Sequence, residues 1–179
     1  PEILKKAISH KTKMLIVCDP INPFGTVQTK QELTEIVKIA NRKNIIVLNN
    51  ITHSFHRIKP EIKHCPITSL RNVNLKNVIA VSGVAHGFGM AGLRIGFLAG
   101  HPELLRPILL TKSAITRINI NYLAQYAALA ALKDRYYLRR CDTILRNNFT
   151  ILKRIIEEIP TLSFIIEPSY GFSACIDTS

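Results

Sequence analysis

The chain has 179 residues, with 24 Lys and Arg against 12 Asp and Glu and a formal net charge of +12. Hydrophobic residues make up 47% and charged residues 20%, a globular balance that excludes intrinsic disorder and a fold held only by disulfides or metal. The length fits one full domain, or one and a part. No apolar run reaches the ~20 residues of a membrane span, and Pro1-Glu2-Ile3-Leu4-Lys5-Lys6 carries no signal-peptide pattern. It also lacks an initiator Met, as a processed or partial product would.

In chain order, Met14-Leu15-Ile16-Val17-Cys18 reads as a short buried strand. It ends at the Pro/Gly-punctuated turn Asp19-Pro20-Ile21-Asn22-Pro23-Phe24-Gly25. Thr29-Lys30-Gln31-Glu32 then fits a capping box. Leu33, Ile36, Val37 and Ala40 follow at helical spacing, so an amphipathic helix is expected to close near Asn44. Ile45 to Leu48 and Val78 to Val81 read as further buried strands, and Arg94 to Gly100 as a fourth. Continuous apolar strands separated by a helix predict an α/β fold, a mainly parallel sheet covered on both faces.

From His101 to Ile118 and from Tyr122 to Ile159 the spacing is helical, with a break at Asn121. Phe164 to Glu167 and Phe172 to Ile176 then read as two short strands around a Pro168-to-Gly171 turn. The change of pattern predicts a partial large domain over residues 1–120, then a linking helix and partial small domain over 121–179.

Cys18, Cys65, Cys141 and Cys175 include no CxxC pair, which points to unpaired thiols in a reducing, cytoplasmic setting. The basic residues are scattered, and between Lys133 and Glu158 they interleave with acids as on a solvated helix face. Neither a nucleic-acid partner nor a membrane is expected. His53, His56, His64 and Cys65 are candidate metal ligands by type, with His53 and His56 spaced for one helical face. Their context reads as loop and strand-end residues, and no metal is expected.

In open parallel sheets, ligands sit beyond the carboxyl ends of the strands. That rule points to Asn22, to Asn49 and Asn50, and to the segment from Ser82 to Arg94. The last of these, Gly83-Val84-Ala85-His86-Gly87-Phe88-Gly89-Met90-Ala91-Gly92-Leu93-Arg94-Ile95-Gly96, is a glycine-rich turn ending in one arginine. Glycines permit close backbone approach to a ligand, and arginine grips an anion through two parallel hydrogen bonds.

This segment resembles the class I/II, fold-type I pyridoxal-phosphate aminotransferases, whose pattern is Ser-x-Ser-Lys-x-Phe-Gly-x-x-Gly-x-Arg-x-Gly. Phe88, Gly89, Gly92, Arg94 and Gly96 match in register. Asn22-Pro23-Phe24-Gly25 is similar to the family's Asn-Pro-x-Gly. Gln125, Ala127, Ala128, Ala131 and Leu132 are similar to its Gln-x-Ala-x-x-Ala-Leu helix, and Pro168 to Phe172 to its Pro-x-Gly-x-Phe turn. The resemblance implies pyridoxal phosphate as cofactor, and an amino acid and a 2-oxo acid as substrates. It makes Arg94 the phosphate grip and Asn22 the donor to the ring hydroxyl.

The departures are as specific. His86 occupies the position of the lysine that anchors the cofactor covalently, and Gly83 replaces a phosphate-side serine, with Ser82 adjacent. The family's Asp-x-x-Tyr, whose carboxylate partners the ring nitrogen, corresponds either to Asn49 with Thr52 or to Asn50 with His53. In both registers an amide replaces the carboxylate and the tyrosine is gone. The chain begins where the family's large domain is about half built and stops before its substrate-binding C-terminal arginine.

The expectation is an inactive homologue without covalent cofactor attachment. The alternatives are a cofactor-binding or dimerising scaffold, and a lysine-free enzyme using pyridoxamine phosphate with His86 as base, resembling some sugar dehydratases of this fold. A half-sheet predicts a homodimer or association with a complementary chain. Asn22, Asn49 or Asn50, His86 and Arg94 are expected to meet in one cleft.

Overall fold

The computed structural model describes residues 2–116 and 120–179. Its elements are α1 (Glu2–Ala7), β1 (Met14–Cys18), α2 (Lys30–Lys43), β2 (Ile46–Asn50), β3 (Val78–Gly83) and β4 (Gly96–Gly100). They are followed by α3 (Pro102–Ile115), α4 (Tyr122–Lys133), α5 (Arg135–Glu158), β5 (Ser163–Ile166) and β6 (Cys175–Asp177). The fold is α/β. One sheet has the order β1-β2-β3-β4, parallel from β1 to β3, and β5 and β6 form a separate antiparallel pair.

Strand β4 runs antiparallel to β3, with Gly83 opposite Gly96 and Ile79 opposite Gly100. Only the stretch 84–95 joins them, and its one helical element is the turn Ala91–Leu93, so the chain doubles back instead of crossing over.

Helix α2 is fixed at both ends. The Thr29 hydroxyl accepts from the Glu32 amide at 3.2 Å, and the Glu32 carboxylate accepts from the Thr29 amide at 2.8 Å. At the other end Asn44 takes a left-handed conformation, φ 53°. Leu33, Val37 and Ala40 enter a core with Ile45, Val47, Ile67, Leu70 and Val78. Burying each large aliphatic side chain there contributes roughly 1.5–3 kcal/mol. Ile39 is buried as well, whereas Ile36 is only partly covered.

The expected covering of both sheet faces is found for the central strands and not for the outer ones. In β1, Leu15 and Val17 pack against the α2 core, but Ile16 on the other face is 68% exposed. All five residues of β4 are exposed. The central strands do carry it: consecutive β3 residues Val78, Ile79 and Ala80 are all buried and no residue of β2 is exposed, so only the outer strands β1 and β4 have an open face among the described residues.

The single long helix expected from Tyr122 to Ile159 is two. The Asp134 carboxylate accepts from the Tyr137 amide at 2.9 Å, which caps α5 and stops α4 at Lys133. Asn121 caps α4 as its break predicts, accepting from the Leu123 and Ala124 amides. The end of the predicted 101–118 helix lies outside the described residues, and α3 closes at Ile115.

Candidate functional site

The loop after β1 is built on Asp19, a fully buried carboxylate. Its Oδ1 accepts from the Gln28 amide at 2.7 Å, and its Oδ2 lies 2.9 Å from His64 Nε2 without the alignment of a hydrogen bond. Within the loop, Gly25 donates to Ile21 and Ile21 donates to Thr26, which closes a tight turn around Asn22. Gly25 has φ +66°, and a Cβ there would run into the Tyr170 carbonyl and Pro168. Both reasons require glycine.

The turn 168–171 is seated on this loop. The Ser169 and Tyr170 amides both donate to the Gly25 carbonyl, at 2.9 and 3.0 Å, and the Gly171 amide donates to His56 O at 2.9 Å. The buried Tyr170 hydroxyl accepts from the His64 amide at 2.9 Å and donates to Ile62 O at 3.1 Å. This network holds Phe172 and Ser173 beside Asn22, and the Ser173 hydroxyl donates to Asn22 Oδ1 at 3.4 Å.

At the end of β2 the two asparagines face different partners. Asn49 is fully buried; its Nδ2 donates to Val17 O at 3.1 Å, and its Oδ1 has no protein partner. Asn50 is turned into its own loop, where Oδ1 accepts from the Thr52 amide at 3.0 Å and the Thr52 hydroxyl at 2.5 Å. In β3, Ser82 Oγ is a second buried polar atom without a protein partner. Asn49 is in register with Ala80, so Asn49 and Ser82 share one face and stand one pleat apart along the sheet.

His53 and His86 meet across the cleft. Their ring centroids are 5.1 Å apart with the planes 26° from parallel. Phe172 tilts against both, at 5.4 Å from His53 and 5.8 Å from His86. Burial pushes the His53 imidazole below the ordinary histidine range, and the charge of His86 adds to that. The space bounded by Asn22, Pro23, His53 and Phe172 does not admit a water molecule.

Arg94 sits at the strand edge where Asn22 and Gly83 lie, because β4 starts opposite the end of β3. It holds a left-handed backbone, φ 54°, and its exposed guanidinium donates from Nη1 to Ala91 O at 3.2 Å. Gly83 and Gly87 leave no room for a side chain: a Cβ would press on Ile95 O at 2.7 Å and on the Phe55 ring at 2.6 Å, respectively.

Asn22, His53 and His86 thus gather around Phe172. Asn49 and Ser82 form a second, buried group, and Asn50 and Thr52 bond to each other. Phe172, Tyr170 and the Asp19–His64 pair were not among the predicted site residues. The Pro168–Phe172 turn was visible in the sequence, but a pairing between residues 45 positions apart leaves no local signal. The candidate metal ligands are drawn elsewhere: His64 to Asp19, and His56 to Asp142, with 3.5 Å between Nδ1 and Oδ1. Among the described residues, no three His, Cys, Asp or Glu side chains are placed to hold a metal, and no helix is long and apolar enough to cross a membrane.

Comparison with known proteins gives the family. The family model for aminotransferase class I and II matches residues 2–174. The aspartate aminotransferase of Pyrococcus abyssi is 34% identical over 131 residues, 73% of this chain and 33% of that protein. Histidinol-phosphate aminotransferase 2 of Hydrogenovibrio crunogenus is 30% identical over 178 residues, 98% of this chain and 44% of that protein. Among solved structures, a Thermus thermophilus aspartate aminotransferase mutant superposes with TM-score 0.89 at 25% identity, covering 100% of this chain and 48% of that one. A PLP-bound protein from Clostridium difficile 630 gives TM-score 0.87 at 26% identity, covering 98% and 46%. The chain spans less than half the length of these relatives. It belongs to the class I and II aminotransferases, a family whose cofactor is pyridoxal phosphate.

Proposed function

We propose that this chain is a homologue of the amino acid:2-oxo acid aminotransferases that has lost lysine-anchored amino-group transfer. The observation that carries the reading is His86, which stands where the family's motif has its anchoring lysine and stacks on His53. An imidazole cannot form the covalent bond that a lysine amine forms with the cofactor aldehyde, nor move as that amine does.

Part of the site suits pyridoxal phosphate as a hydrogen-bonded ligand. Asn49 Oδ1 and Ser82 Oγ, in the buried group apart from the Asn22–His53–His86 cleft, are polar atoms in want of a partner, and the exposed Asn22 offers an amide. The burial of Asn49, against the self-contained Asn50–Thr52 pair, supports Asn49 as the counterpart of the family's ring-nitrogen aspartate. The other half does not suit it. Asn49 is neutral where a carboxylate would favour a protonated ring, and the Arg94 guanidinium is exposed and bonded to its own turn. The residues therefore do not fit the covalently anchored cofactor. They leave a hydrogen-bonding cleft without an anchor.

A second reading, a lysine-free enzyme using pyridoxamine phosphate with His86 as base, has one observation in its favour. Burial lowers the His53 pKa, so the ring stacked on His86 resists protonation. The exposed β1 and β4 support association as a homodimer or with a complementary chain, and the separate β5–β6 pair supports a division into residues 1–120 and 121–179. Four free cysteines support a cytoplasmic setting.

The test is incubation with pyridoxal phosphate, borohydride reduction and mapping of modified residues by mass spectrometry, alongside an amino-acid-dependent turnover assay. The expected result is no specific adduct and no turnover. One specific lysine adduct lining the cleft, together with turnover, overturns the reading.

A further inference from the structure

We infer that Phe172 is a gate: its ring closes the cleft between Asn22, His53 and His86, and opens it by turning into a neighbouring cavity under α5. For what enters the cleft, this inference rests on the functional reading above; the gate itself rests on geometry.

Phe172 is the wall between two spaces. On one side are His53 and His86, and the gap beside Asn22 is closed even to water. On the other lies a half-open pocket of about 160 Å³ lined by Ile58, Leu145, Phe149 and Leu152, with Asn148 and Ser173 as its polar members. A mainly apolar cavity of roughly 150 Å³ accepts a benzene ring, so the receiving space suits a phenyl group.

The surroundings isolate the motion to one side chain. Ser169, Tyr170 and Gly171 are pinned through their amides to Gly25 and His56, so the turn keeps its place. Phe172 itself is 48% exposed, so leaving the stack gives up only part of a buried surface. Gly171, with φ +82°, has no heavy atom within 4 Å of where a Cβ would sit, so nothing crowds the backbone next to the ring. The open state presents the His53–His86 pair and the Asn22 amide to a flat, phosphate-bearing heteroaromatic ligand, while the closed state fills that place with the protein's own ring.

Two variants test this. Phe172→Ala removes the gate. Leu152→Trp fills the receiving cavity and holds the gate shut; should it fail to fold, Ala174→Leu fills the same cavity more gently. The first readout needs no ligand: the rate at which diethylpyrocarbonate modifies His53, followed by peptide mass spectrometry. It should rise several-fold in Phe172→Ala and fall several-fold in the filled-cavity variant. The second is the fluorescence anisotropy of pyridoxamine 5′-phosphate, which has no aldehyde and binds without a covalent bond. An open state populated in about a tenth of molecules or fewer gives Phe172→Ala a gain of about tenfold or more in apparent affinity. A His53 rate in the filled variant equal to wild type overturns the gate. Shifted rates with no pyridoxamine phosphate bound by any variant support the gate and count against the cofactor reading.

Discussion

The Tyr170 hydroxyl bonds at once to the amide of His64 and the carbonyl of Ile62, residues more than a hundred positions earlier in the chain. One phenol thereby ties the C-terminal turn to the loop that buries His64 against Asp19. Tyr170→Phe keeps the ring and orphans one donor and one acceptor. The expected cost is about 1–3 kcal/mol of unfolding free energy, read from urea denaturation, with secondary structure unchanged. A variant as stable as wild type would show that water replaces the hydroxyl.

Gly25→Ala should be far more damaging. The new Cβ meets the Tyr170 carbonyl and Pro168 in a backbone at φ +66°. Steric overlap with fixed backbone and left-handed strain act together, so a loss above about 3 kcal/mol is expected. Thermal melting and soluble yield check it.

The burial of His53 beside His86 makes stability depend on pH. The His53 pKa is lowered on folding, so the folded state resists taking up the proton that the unfolded chain accepts near pH 6.5. Stability from this group is fully present above about pH 6.5 and is lost as the pH falls from there through the lowered value. His53→Gln should flatten that part of the profile. Melting temperatures between pH 5 and 8 in both proteins give the comparison, and parallel profiles would refute the assignment.

Restoring the anchor alone should not restore the reaction. His86→Lys is expected to form a borohydride-trapped adduct with pyridoxal phosphate at position 86, with turnover still poor because Asn49 remains neutral. Adding Asn49→Asp should raise turnover in the double variant. By itself, Asn49→Asp buries an unpaired carboxylate and should cost several kcal/mol at neutral pH. Turnover in His86→Lys equal to that of the double variant would show that the aspartate is dispensable here.

Local features were readable in the sequence. The Thr29–Glu32 box and Asn44 set both ends of α2, and the glycine-rich segment marked the strand edge that carries Arg94. The break at Asp134 was missed because helical spacing runs through it, whereas a single side-chain cap decides the outcome. The two faces of β1 were misread because an apolar run is the same whether its second face is covered or bare. Phe172 as the ring packed against both His53 and His86 was out of reach for another reason. It depends on the seating of residues 168–171 on Gly25, and a bond across that separation has no periodicity to betray it.

Strand β4 and helix α3 border an open apolar groove of about 660 Å³ whose lining includes Phe97, Leu98, Leu105, Ile108 and Leu109. Strands β1 and β4 are the two edges of the four-stranded sheet, with no further strand beside either among the described residues. If a second copy pairs there, as proposed above, protein concentration becomes a thermodynamic variable: mass action couples folding to association, and the melting temperature should climb as the chain is concentrated instead of staying constant as it would for an isolated two-state monomer.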